Sequence, residues 1–255
     1  MSTLPSLMVA PNGARKGKAD HPALPITVPE VIAEAKACYA AGADGLHLHL
    51  RDADGRHLLD AGLYREALGE MQIAVPDMAC QITTEAVGMY SPAQQRAIVA
   101  AVQPRLVSVS LAEMLEGGDV DAAAEFYQNC AATDISVQHI LYGAEDLRQM
   151  ATMLDKGHIP ENGLQLLFVL GRYSDNQQSS PEDLDPFTAW HRDSGVRADW
   201  GICAFGLQET QCLQAAHQQG GKLRVGFENS FWNADGSMAA SNHERVAEVK
   251  ALVHR

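Results

Sequence analysis

Two histidines one residue apart, His47 and His49, close a short apolar run from Gly45 to Leu50. Side chains alternate along a β-strand, so both imidazoles share one face and Leu46, Leu48 and Leu50 take the other. A His-x-His pair at a strand end suits a divalent metal; two histidines that hold nothing are the plainer alternative. A later run reads Arg224-Val-Gly-Phe-Glu228. Two His and one Glu make a catalytic zinc set with a position left for water or substrate, and the same donors admit Mn, Co, Ni or Fe. The competing use of Glu228 is a salt bridge to Arg224, which lies four residues earlier and on the same face of an extended strand. Two further runs end in hydroxyls, Gln81-Ile-Thr-Thr-Glu85 and Ser108-Val-Ser110. Thr83, Thr84 and Ser110 could bind a carboxylate, although Thr also serves as an ordinary strand and capping residue.

These residues need a scaffold that gathers strand ends, and the pattern along the chain supplies one. Strands are expected at Leu7–Ala10, Gly45–Leu50, Met78–Thr83, Leu106–Leu111, Ile135–Leu141, Leu164–Leu170, Trp200–Phe205 and Leu223–Glu228. Helices are expected from Thr27 to Ala41, Tyr64–Ile73, Pro92–Val102 behind a Ser91 cap, Val120–Ala131, Ala144–Leu154, Pro181–Ser194, Leu207–Gln218 and Asn242–Val253. Eight strands alternating with eight helices over 255 residues predict an α/β fold, a single (β/α)8 TIM barrel occupying residues 1–255 as one domain. No Gly-x-Gly-x-x-Gly follows the first strand, which disfavours a dinucleotide-binding open sheet. Barrel active sites sit at the C-terminal strand ends, where the residues above fall.

Composition narrows the partners. The net charge of −13 gives no basic face for nucleic acid. The most basic stretch is the loop after the first strand, Pro11 to Lys18, which reads either as a solvated loop or as a contact for a phosphate or carboxylate. The five cysteines are scattered and include no Cys-x-x-Cys, so a reducing cytoplasm is expected rather than a disulfide framework. No apolar run is long enough for a membrane span and the first ten residues lack a signal-peptide pattern.

The chain resembles the β-keto acid cleavage enzymes. The resemblance rests on Ala10-Pro-Asn-Gly-Ala14, Leu24-Pro-Ile-Thr-Val-Pro-Glu30, Ala40-Ala-Gly-Ala-Asp44, His47-Leu-His-Leu-Arg-Asp-Ala-Asp-Gly55, Gln81-Ile-Thr-Thr84, Phe168-Val-Leu-Gly171 and Arg224-Val-Gly-Phe-Glu228, in order along the chain. It implies a zinc-bearing barrel, a homo-oligomer (tetramer or dimer), that condenses a β-keto acid with acetyl-CoA and releases acetoacetate and a new acyl-CoA. It further implies one zinc per chain on His47, His49 and Glu228, a substrate carboxylate held at Thr83, and a substrate-activating Arg224.

Four positions depart from the family pattern. The Asp that follows the metal-binding Glu is Asn229, and an amide is no base at neutral pH. A strand-five Glu falls at Gln138. Glu85-Ala86 replaces a Gly-Gly; the displaced base is then Glu85, Glu113 or a metal-bound water, and a surface or capping role is the plainer reading of Glu85. The family's acidic residue for a substrate amino group falls at Arg15, which favours a second carboxylate instead. Two rival functions remain: a metal-dependent hydrolase or lyase, and a non-catalytic metal- or CoA-binding relative.

Overall fold

The computed structural model describes residues 3–253. In chain order the strands are β1 (Leu7–Val9), β2 (Gly45–Leu48), β3 (Leu50–Arg51), β4 (His57–Leu58), β5 (Ala79–Thr83), β6 (Leu106–Ser110), β7 (Ser136–Leu141), β8 (Gln165–Leu170), β9 (Asp199–Ala204) and β10 (Lys222–Val225). The helices are α1 (Val28–Ala40), α2 (Ala61–Ala74), α3 (Pro92–Val102), α4 (Leu111–Met114), α5 (Val120–Ala132), α6 (Ala144–Asp155), α7 (Asp185–Ser194), α8 (Glu209–Gln218) and α9 (Asn242–Val253). Eight parallel strands close into a barrel in the order β1-β10-β9-β8-β7-β6-β5-β2, and the expected (β/α)8 TIM barrel is what the chain forms. Among the described residues, no helix is long and apolar enough to cross a membrane.

Period two decides what each strand presents. Leu46, Leu48, Val107, Val109, Leu166, Phe168 and Ile202 face the helices and join one large core. The barrel interior divides into two kinds of wall. Ile140, Leu167, Val169, Cys203 and Phe205 make a separate apolar cluster inside it, while His47, Gln81, Thr83, Ser108, Gln138 and Arg224 are buried polar side chains from the remaining strands. Helix starts follow the capping residues: Thr27 and Ser91 each build a capping box, with Pro at the first turn.

Several boundaries differ from the sequence expectation for identifiable reasons. The second strand stops at Leu48, and Leu50–Arg51 turns away to pair antiparallel with His57–Leu58. The Asp52 carboxylate makes that hairpin by accepting from the N–H groups of Asp54 and Arg56. The last barrel strand ends at Val225, three residues before Glu228, because Gly226 takes φ +141° and a Cβ there would stand 2.5 Å from the Ala10 carbonyl oxygen. The fourth barrel strand ends at Ser110, whose Oγ caps α4 by accepting from Glu113 N–H. The helix expected at Pro181–Ser194 is a 3-10 turn over Pro181–Leu184 followed by α7. Asp60 caps α2 three residues ahead of its expected start.

Candidate active site

His47 and His49 meet at the barrel mouth. Their Nε2 atoms are 3.0 Å apart, and the Glu228 Oε2 lies 3.6 Å from one and 3.7 Å from the other. Ligand atoms on a tetrahedral zinc stand roughly 3.3 Å apart, given bonds of about 2.0–2.1 Å. Glu228 Oε2 is buried and accepts no hydrogen bond, so its lone pairs face the same point as the two imidazoles. Among the described residues, these three side chains are the one group of His, Cys, Asp or Glu gathered closely enough to hold an ion.

Neighbours prepare the ligands. Gln81, on β5 beside His47 in register, donates through Nε2 to Gln138 Oε1 and so turns its own oxygen toward His47 Nδ1, 2.7 Å away. That oxygen needs a proton on Nδ1 and leaves Nε2 with its lone pair, the form a metal requires. Burial pushes the His47 imidazole down to about 4, helped by the Arg224 charge, and pushes His49 well below its ordinary range. Both rings are therefore neutral at pH 7. Burial opposes ionisation of Glu228, but Arg224, together with His47, Lys16 and Arg172, outweighs it and holds the carboxyl below its ordinary value.

The Glu228 turn is fastened at every backbone group within reach. Gly226 N–H donates to Glu209 Oε1, Phe227 N–H to Asn242 Oδ1, and Glu228 N–H to the Ala10 carbonyl. The Lys16 ammonium donates to the carbonyls of Phe227 and Glu228 and lies over the Phe231 ring. Lys16 in turn belongs to a loop that Arg51 grips through the carbonyls of Asn12, Gly13 and Lys16, while also donating to the Gly55 carbonyl of its own hairpin. The basic loop, read either as solvated or as a contact for a phosphate or carboxylate, thus spends Lys16 internally, and Lys18 pairs with Glu30. Arg15 remains as its exposed cation.

Two adjoining cavities open here. The inner one contains His47, His49 and Glu228 together with Thr83, Ser110, Glu85 and Arg224. The outer one carries Arg15 and Lys16, and Glu85, Arg172, Phe205 and Glu228 belong to both. Arg224 places Nη2 at 3.2 Å from Glu228 Oε1 and 3.3 Å from Cys203 Sγ, while its Nε and Nη1 have no protein partner. The Arg224–Glu228 pairing expected from sequence exists, although a turn and not an extended strand makes it.

Other expected site residues are placed differently. Thr84 is fully buried away from the cavities; its hydroxyl donates to the Ser108 carbonyl and its own carbonyl accepts from Gln95. Asn229 is buried, its amide has no hydrogen-bond partner, and it lies outside both cavity walls. Glu113 accepts from Ala86 N–H and Gln95 Nε2, a scaffold role that occupies the carboxylate. Glu85, read most simply as a surface carboxylate, instead faces the cavities, with Oε2 3.9 Å from His49 Nδ1. Burial, and then the charges of Glu228 and Glu113, push it up to about 7 against the pull of Arg172 and Arg15. Arg172, Tyr142 and Phe205 were not singled out from sequence, and no local motif marks them. His57 supports Glu85 by donating from Nε2 to its carbonyl.

The sequence and the fold are similar to those of known proteins. The profile of the family described as beta-keto acid cleavage enzyme matches residues 6–255. A 3-keto-5-aminohexanoate cleavage enzyme of Fusobacterium nucleatum is 29% identical over 252 residues, covering 94% of this chain and 88% of that protein. A 3-oxoadipate:acetyl-CoA acetyltransferase of Cupriavidus necator is 24% identical, covering 96% and 87%. Among solved structures, a ternary complex of ObcA with a C4-CoA adduct and oxalate superposes with a TM-score of 0.70 at 15% identity, over 90% of this chain. This chain spans 63% of the ObcA chain, and the likeness concerns the fold.

Proposed function

The chain belongs to the β-keto acid cleavage enzyme family, and from that premise we propose that it condenses a β-keto acid with acetyl-CoA, giving acetoacetate and a new acyl-CoA. One observation carries the reading: His47, His49 and Glu228 converge on a point beside the unused donors of Arg224, in a cavity that also holds hydroxyls and one carboxylate. The relatives' names, a cleavage enzyme and an acetyl-CoA acetyltransferase, support the reaction class.

Zinc is the metal we assign, one per chain, and His47, His49 and Glu228 would hold it. The neutral imidazoles and the ionised carboxylate are the forms such a site needs. When bound, it supplies a Lewis acid for the ketone oxygen of the keto acid.

The chain's own groups do the rest. Thr83 and Ser110 hold the substrate carboxylate through their hydroxyls, and Arg224 adds charge-assisted donors from Nε and Nη1. Glu85 takes a proton from the carbon between the two carbonyls. That carbon attacks the acetyl thioester and expels CoA thiolate. The thiolate then adds to the original ketone carbon, the bond to the central carbon breaks, and acetoacetate leaves with the proton returned by Glu85. Atoms and charge balance without a redox partner. Glu85 takes the role for which Asn229 and Gln138, being amides, are unfit; Gln138 is committed to Gln81 and the Leu166 carbonyl.

The five unpaired thiols support a reducing, cytoplasmic setting, and a homo-oligomer is the assembly we assign from the family resemblance. The test is turnover by zinc-replete protein given acetyl-CoA and a panel of β-keto acids with amino, hydroxy, carboxylate and plain alkyl ends, read by mass spectrometry. A new acyl-CoA formed together with acetoacetate is expected. Silence across the panel, from protein shown to hold zinc, would overturn the reading in favour of a non-catalytic binder.

A further inference from the structure

Arg172 is the charge at this site that the reaction above does not use. It follows Gly171 at the end of β8, and its side chain is only 15% exposed. Its guanidinium lies 5.5 Å from the Phe205 ring centroid and 5.8 Å from that of Tyr173. Stacking holds the plane and leaves the N–H edge directed elsewhere. Among the described residues it meets one carboxylate, Glu85 Oε1, at 3.9 Å, beyond hydrogen-bonding reach. Arg15 meets the same oxygen at the same distance. Two guanidiniums therefore share one carboxylate that neither of them grips. Lys16 does not change the balance, because its ammonium is committed to the Phe227 and Glu228 carbonyls. One positive charge at this end of the cavity is left without a counter-charge. A sheltered guanidinium of this kind is built for an anion.

Part of the wall of the inner cavity is apolar. Ile140, Val169 and Phe205 line the inner cavity, and Phe205 continues into the outer one. A ligand anchored at Arg224 meets hydrocarbon next and a guanidinium last. An ammonium tail would be placed against two cations, and a plain alkyl tail would seal Arg172 away from solvent with nothing to pair it.

We propose that the β-keto acid this site takes is a diacid, its methylene arm lying along Ile140, Val169 and Phe205 and its second carboxylate held by Arg172, with Arg15 behind it. The inference rests on the function proposed above. The same oxyanion chemistry could come from a phosphate of CoA, and the experiment separates the two sources.

The test compares two β-keto acids of equal length, 3-oxoadipate and 3-oxohexanoate, on the zinc-loaded enzyme and on Arg172→Met and Arg15→Glu. The wild type is expected to favour the diacid by about 100-fold in kcat/KM. Assayed well above pH 7, where Glu85 stays ionised without its help, Arg172→Met should remove most of that preference by lowering diacid turnover, leaving the monoacid and the KM for acetyl-CoA within about threefold. Arg15→Glu should move the preference the same way. Equal use of both acids by the wild type would overturn the proposal. So would a rise in the KM for acetyl-CoA shared by both acids in Arg172→Met, which would assign the guanidinium to a CoA phosphate. If no keto acid is turned over, the reaction assignment fails by itself, and calorimetry still reads the subsite. Glutarate binding in preference to butyrate, lost in Arg172→Met, would uphold an acid-terminus site; equal binding of the two would overturn it.

Discussion

Gly13 and Glu228 leave no room for a side chain between them: a Cβ on Gly13 would stand 2.5 Å from Glu228 Cγ. Gly13 also has φ +60°, a backbone region that costs another residue about 1 kcal/mol. The loop after the first barrel strand is thus shaped against the side chain that completes the ligand group. Gly13→Ala should displace Glu228 and weaken zinc binding by roughly tenfold or more, read by competition with a chromophoric chelator. Melting of the metal-free protein should fall only by about 2–4 °C per kcal/mol of strain. Unchanged zinc affinity would mean that the loop yields and the carboxylate stays.

Arg51 secures the other side of the same loop. One guanidinium serves four backbone carbonyls, and it is nearly buried. Arg51→Met leaves those carbonyls without their donor and should cost on the order of 3 kcal/mol in urea unfolding. Arg51→Lys reaches fewer of them and should fall between the variant and the wild type.

Gln81 controls the tautomer of His47 without touching the substrate. Gln81→Leu removes the acceptor that keeps the proton on Nδ1, so the bare Nε2 is no longer enforced. Zinc affinity should drop about 10- to 100-fold. Gln81→Glu restores an acceptor and should recover most of the loss, which separates an orienting role from a packing one. If both variants bind zinc alike, Gln81 is not the orienting partner.

The barrel and the gathering of His47, His49 and Glu228 were legible in sequence because both depend on period and spacing. Alternation in Leu46-His-Leu-His49 states which side chains turn inward, and eight strand-helix alternations permit few closed sheets. What sequence did not yield depends on backbone turns and on contacts between distant segments. Glu228 was read as extended because the run from Leu223 is apolar, but Gly226 bends the chain into a turn. The hairpin at Leu50–Leu58 depends on Asp52 accepting two N–H groups, a local signal present in Asp-Ala-Asp-Gly. Thr83 and Thr84 look equivalent in the sequence, and only the end of β5 decides that one lines the cavity and the other faces Ser108. Arg172 had no signal at all: its meaning comes from Glu85, 87 positions away, and from the aromatic ring of Phe205.

His139 offers a pH test away from the ligand group. It is buried against the Tyr127 ring, and burial alone pushes its imidazole down to about 3. The unfolded chain therefore takes up a proton near pH 6.5 that the folded chain refuses. Stability due to this ring is complete above about pH 6.5 and declines as pH falls toward 3. Between pH 7 and pH 5 the decline should be roughly 2 kcal/mol. His139→Gln, made in chelator-treated protein, should lower stability at pH 7 yet flatten its pH dependence by about that amount. Urea midpoints at the two pH values supply the comparison; an unchanged slope would show that the imidazole is protonated while folded.

Glu85 and Glu113 are both buried carboxylates near the mouth, and the geometry assigns them opposite tasks. Glu85 faces the cavities with no close donor on its carboxylate, whereas Glu113 is bound by Ala86 N–H and Gln95. Glu85→Gln should lower kcat by about 10²- to 10⁴-fold with little change in the KM for either substrate, as expected for a lost base. Its zinc content and melting point should stay near those of the wild type. Glu113→Gln should do the reverse, costing about 1–2 kcal/mol of stability while kcat stays within a few-fold. The base must be ionised to act, so turnover limited by proton removal should fall with decreasing pH, and that acidic limb should vanish from the residual activity of Glu85→Gln. Full turnover by Glu85→Gln would remove it from the mechanism, and a loss of activity in Glu113→Gln without a loss of stability would transfer the role to that residue.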